Sequence, residues 1–82
     1  MSLAAVYQPI ACALHEKLEF AVLKRTQLYL CYCDAAGQEV TSTALPVDVY
    51  TANAAEWLKI QHADGRVEIV RLDALSSVAE LV

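Results

Sequence analysis

The side chains able to do chemistry in this 82-residue sequence are three cysteines, two histidines and ten carboxylates. Cys31 and Cys33 stand two apart in an apolar run, so a strand would put both thiols on one face. Two thiolates fall short of the roughly four ligands of a structural zinc site, and neither His15 nor His62 lies at a helpful short spacing. With Cys12 the count is odd, which is no disulfide framework, and the three read as buried structural thiols. His15 and Glu19 are four apart, the spacing of a base and its orienting carboxylate on one helical turn. No nucleophile sits where that pair could serve it, so helical pairing explains the spacing without catalysis. Ser76 and Ser77 lack the elbow of small residues that exposes a nucleophilic serine. His62 precedes the Asp64-Gly65 turn and reads as a solvated loop residue. The only two glycines, Gly37 and Gly65, both belong to turns, which leaves no phosphate-cradling loop. The sequence therefore predicts a protein that is not an enzyme and carries no cofactor or metal.

These residues must be positioned by short elements. The stretch 27–40 (QLYLCYCDAAGQEV) predicts a central strand, a turn at 34–37 and a returning strand. Asp34 can bond its own downstream backbone, and Gly37 can take positive φ. Upstream, residues 1–6 carry no strong signal and are expected to be loose. Pro9 holds Gln8 extended, with Tyr7 and Ile10 as anchors. Residues 12–17 (CALHEK) predict a short helical turn with Leu14 and Leu18 inward and Glu16 and Lys17 near solvent. Residues 18–23 (LEFAVL) then predict a first strand. Residues 39–45 (EVTSTAL) predict a half-exposed strand that Pro46 ends or places at an edge. Residues 47–54 (VDVYTANA) mix strand and loop character. Residues 56–62 (EWLKIQH) alternate, with Leu58 and Ile60 on one face and Trp57, Lys59 and Gln61 on the other. Trp57 is either a core aromatic or an interface anchor. Asp64-Gly65 is a hairpin signal, residues 66–72 return as its partner strand, and 73–82 close the chain as a last short strand or turn. The sum is one mainly β domain, with a brief N-terminal helix and about five short strands in a strongly bent antiparallel sheet or partly open barrel.

Ten acidic against six basic side chains give a net charge of −4. That balance argues against direct nucleic-acid binding, which Lys and Arg drive, and suits a basic partner. Tyr29 and Tyr32 are embedded in the apolar run rather than interleaved with cations, so the footprint for stacked bases is weak. No apolar window reaches the length of a membrane helix, and the first residues lack the basic start of a signal peptide, so a cytoplasmic protein is expected.

Several stretches together carry a resemblance. Tyr7-Gln8-Pro9-Ile10 followed by Cys12, then Leu18-Glu19 and Ala21, resemble the opening of the Rof proteins, small inhibitors of the bacterial transcription terminator Rho. Glu56-Trp57-Leu58 and Arg71-Leu72-Asp73 resemble later parts of the same family, so the likeness spans residues 7–78. It implies an Sm-like small barrel, with an N-terminal helix and a strongly bent five-stranded antiparallel sheet. It also implies a non-catalytic antiterminator that binds the N-terminal, RNA-binding region of Rho and blocks RNA access, acting as a monomer or weak dimer. In the family, acidic side chains on the helix after Cys12 face Rho. The matching positions here are Ala13, Leu14, His15 and Glu16, of which only Glu16 is acidic. The implied contact set is His15, Glu16 and Glu19 on the helix, with Asp48, Tyr50 and Asn53 from segment 46–55. The alternative is an Sm-like RNA-binding or scaffold module that assembles through strand edges.

Overall fold

The computed structural model describes residue 10 and residues 12–81. The expectations for residues 1–6, Tyr7, Gln8 and Pro9 lie outside the described residues, whereas Ile10 packs against the core as expected. The elements in chain order are helix α1 (Cys12–Lys24) and strands β1 (Leu28–Cys33), β2 (Glu39–Ala52), β3 (Ala55–His62), β4 (Val67–Arg71) and β5 (Leu75–Glu80). A single 3-10 turn, Leu72–Ala74, separates the last two. All strand pairs are antiparallel, in the order β4-β3-β2-β1-β5. The helix and the five-stranded sheet are those expected of an Sm-like chain. Among the described residues the barrel is not closed, because β4 and β5 are the two edges of an open sheet.

The helix is longer than the sequence predicts. Residues 18–23, expected as a strand, continue α1 to Lys24. Leu14, Leu18 and Ala21 recur at helical spacing and face the core. Phe20 and Leu23 are 56% and 78% exposed on the other side, and these outward apolar residues hide the helical period. The helix ends in a paired cap. The Arg25 N–H bonds the Val22 carbonyl at 3.3 Å, and the Thr26 N–H bonds that of Ala21 at 3.0 Å, with Arg25 at φ 57 where glycine is the usual residue.

Strand β2 carries the architecture. Its 14 residues serve two partners in succession, one for each half. Its first half pairs with β1 as far as Leu28 opposite Ala44. Its second half pairs with β3, with a register shift between Pro46 and Asp48 that leaves Val47 as the extra residue. Pro46 thus neither ends the strand nor marks a sheet edge. It is fully buried at the bend, past the last residue paired to β1, where its missing N–H breaks no bond to that strand. Residues 47–52, expected as part loop, are strand. The connection to β3 is two residues, Asn53 and Ala54, at φ 52 and 59, the backbone of a primed hairpin turn. The middle position of the sheet belongs to β2, with β1 beside it in the interior.

The core is one cluster. Leu18 and Ala21 of α1 pack with Leu28, Leu30, Tyr32, Ala44, Leu58, Ile60, Val70 and Leu72, each nearly or fully buried. The Cys pair is placed on one face as predicted, but that face is the outer one. Cys33 is exposed, Cys31 is half-buried and Cys12 is exposed, because β1 turns Leu28, Leu30 and Tyr32 inward. No helix among the described residues is long and apolar enough to cross a membrane.

Candidate functional site

Two surfaces of α1 matter. Its inward stripe seats it on the sheet. Its outward stripe carries Glu16, Phe20 and Leu23 at positions four and seven apart, flanked by Glu19, and these four line one open recess. Two carboxylates and two large apolar side chains therefore meet solvent together. Lys24 Nζ lies 5.9 Å from the centre of the Phe20 ring and closes one end of the stripe.

His15 joins this helix to the β2–β3 hairpin. Its Nδ1 is 3.4 Å from a Glu19 oxygen, the helical pair expected from sequence. Its Nε2 is 2.9 Å from Glu56 at the start of β3. Glu56 is opposite Thr51, on the core-facing side shared by Val49 and Leu58. Asp48 and Tyr50 alternate with Val49 and so take the other side of the hairpin, beside Lys59 and Trp57. Asn53 is exposed in the turn. The six predicted contact residues thus divide. His15, Glu16 and Glu19 form one helical surface, Asp48 and Tyr50 lie on the outer face of the sheet, and Asn53 marks the hairpin tip between them. Glu56 lies far from His15 in the sequence, and no local spacing connects the two. Trp57 is half-buried on the outer face, its Nε1–H donating to the Ala52 carbonyl at 2.8 Å.

A second polar cluster lies on the inner face. His62, expected in a solvated loop, is the last residue of β3 and only 8% exposed. Its Nε2 is 2.8 Å from Glu68 Oε1, and its Nδ1 is 3.0 Å from Ser42 Oγ. The Tyr32 hydroxyl donates to the same Glu68 oxygen at 2.7 Å. Arg66 stands 3.8 Å from it. Burial raises the Glu68 carboxyl pKa, but the hydrogen bonds from Tyr32 and His62 and the nearby positive charges outweigh it, leaving the pKa below the ordinary carboxylate value. Burial, and then Glu68 itself, push the Tyr32 phenol well above its usual value. With Glu68 ionised, Nε2 of His62 is the donor to it, and in the neutral ring Nδ1 can accept from the Ser42 hydroxyl. The order of hydroxyl, imidazole and carboxylate is that of a proton relay, yet no buried polar side-chain atom among the described residues lacks a partner, and the cluster seals one end of the core. The sequence did hold a signal for this cluster. Leu58, Ile60 and His62 recur with period two, which turns the histidine inward with the two leucine-like neighbours. Among the described residues, no group of three or more His, Cys, Asp or Glu side chains is placed to hold a metal ion.

No protein-family model matches the sequence, and no curated protein matches it. Among solved structures, the chain is similar to part of Proteasome accessory factor B/C (PafBC) of Arthrobacter aurescens, with TM-score 0.73 and 18% identity. The likeness covers 89% of this chain and 12% of that one. At such identity it shows a shared fold alone, embedded there in a far longer protein.

Proposed function

We propose that this chain is a non-enzymatic interaction protein of the cytoplasm that binds the N-terminal RNA-binding region of Rho and blocks RNA access to it, reducing transcription termination. The observation that carries the reading is the outward stripe of α1, where Glu16 and Glu19 stand beside Phe20 and Leu23. A surface built to hold RNA phosphates is basic, and an acidic stripe with apolar anchors is suited to compete for it. The resemblance to Rof proteins at residues 7–78 and the net charge of −4 support the same partner. Asp48, Tyr50 and Asn53 extend the contact from the hairpin.

Calorimetric titration into the isolated N-terminal domain of Rho tests this, at two salt concentrations and with pyrimidine-rich RNA as competitor. Saturable binding that weakens with salt and excludes RNA is expected. Glu16→Lys should weaken it and flatten the salt dependence. Absence of binding at low salt with a folded sample would reject Rho as the partner.

A second reading, an Sm-like RNA-binding or scaffold module that assembles through strand edges, is favoured by one observation. Among the described residues, β4 and β5 each have one edge without a neighbouring strand, and Val67 and Ile69 of β4 are exposed. Light scattering separates the two. A monomer or weak dimer supports the inhibitor, a ring of six or seven copies the module.

A further inference from the structure

His15 faces one carboxylate at each ring nitrogen, Glu19 from its own helix and Glu56 from the neighbouring hairpin. A carboxylate only accepts hydrogen bonds. A neutral imidazole has one N–H and one lone pair, so it can serve one of these partners and must turn its lone pair toward the other. Only the imidazolium, a donor at both nitrogens, completes the cluster. The contrast with His62 is direct, because a hydroxyl faces its second nitrogen and the neutral ring is satisfied.

We propose that His15 is a pH-operated clasp: protonated, it holds α1 against the β2–β3 hairpin through Glu56, and on losing its proton it gives up one of its two contacts and loosens the helix. Among the described residues, the charged groups that face the ring are Glu19 from α1 and Glu56 from β3. Glu16 and Lys17 are exposed elsewhere on the helix, and Asp48 and Lys59 lie on the opposite side of the hairpin. The outward stripe of α1 is then presented more firmly at lower pH. That consequence rests on the proposed partner surface, whereas the clasp itself does not.

The test is amide hydrogen exchange of α1, corrected for intrinsic rates, on the full chain between about pH 5 and about pH 8. In the wild type, the opening equilibrium of α1 should rise roughly twofold across this range relative to β1. It should stay flat in His15→Gln and in Glu56→Gln. The second variant keeps the ring and Glu19 and removes only the hairpin charge, so it reads the clasp even where the first fails to fold. A flat wild-type response, or an undiminished one in Glu56→Gln, overturns the proposal. No partner is present in this measurement, so a working clasp with no binding to the Rho domain would reject the partner alone. Binding with pH-indifferent α1 exchange would reject the clasp alone.

Discussion

The two histidines of the chain sit in opposite kinds of surroundings. His62 is enclosed at the end of β3, where Ser42 and Glu68 meet its two ring nitrogens from neighbouring strands, Tyr32 donates to the same Glu68 oxygen, and no buried polar side-chain atom among the described residues lacks a partner. His15 stands at a junction of helix and hairpin, between two carboxylates, with about a quarter of its side chain in solvent (26%). Where water is excluded, each hydrogen bond is obligatory, and loss of one member strands the others. Where water competes, the same side chain contributes little to stability and can act as an adjustable link. The chemistry of the ring is shared. Its surroundings decide whether it seals or switches.

The sharpest way to break this comparison is to remove each ring in turn. His62→Ala should destabilise the fold by about 3 kcal/mol, because Glu68 is left as a poorly compensated carboxylate in the sheet. Urea unfolding measures it, and a loss under about 1 kcal/mol would mean that the inner cluster is not obligatory. Glu68→Gln comes next, with an expected loss of about 1–2 kcal/mol at neutral pH and a changed acid response. The native carboxyl is held below the ordinary value, so Glu68 contributes stability above the unfolded pKa of about 4.3 and loses it as pH falls through the folded one. A pH series of unfolding curves should therefore be flatter for Glu68→Gln over that acidic stretch. Ala54→Gly acts on the hairpin beside the other histidine. Ala54 holds φ 59, a conformation natural to glycine, so the substitution should stabilise the chain by about 0.5–1 kcal/mol in thermal unfolding. The smallest effect is expected for His15→Ala, about 0.5 kcal/mol at low salt and next to nothing near 1 M salt. A salt-independent loss as large as that of His62→Ala would erase the distinction.

Much of the sheet was legible because its turns are written in side chains. Asp34 accepts bonds from the Ala36 and Gln38 amides, and Asp64 from that of Arg66, with Gly37 and Gly65 at positive φ, as their sequence signals require. The Asn53-Ala54 turn was not legible, since alanine there gives no sign of positive φ. The second half of α1 was misread because Phe20 and Leu23 look like strand interior and in fact face solvent. The sequence reads Pro46 as an end or an edge, since a proline in a strand gives no notice that its unpaired side lies past the neighbouring strand. On the candidate surface, the His15–Glu19 pair followed from helical spacing, whereas Glu56 reaches it only through the fold. The inner cluster brings together Tyr32, Ser42, His62 and Glu68 from four strands, and only the period of β3 hinted at it.

The bent second strand also bears on the order of assembly. Because β2 pairs with β1 through one tight turn and with β3 through another, and β4 follows through a third, four strands can form by closing short loops alone. Only β5 must travel, returning from the end of the chain to lie beside β1. Contacts between neighbours in sequence form early and distant ones late, so this meander is the natural nucleus and the docking of β5 the closing step. A core substitution in β5, such as Val78→Ala, should then leave the refolding rate nearly untouched and express its cost as faster unfolding. The strand that completes the sheet is thus the one whose departure begins its loss.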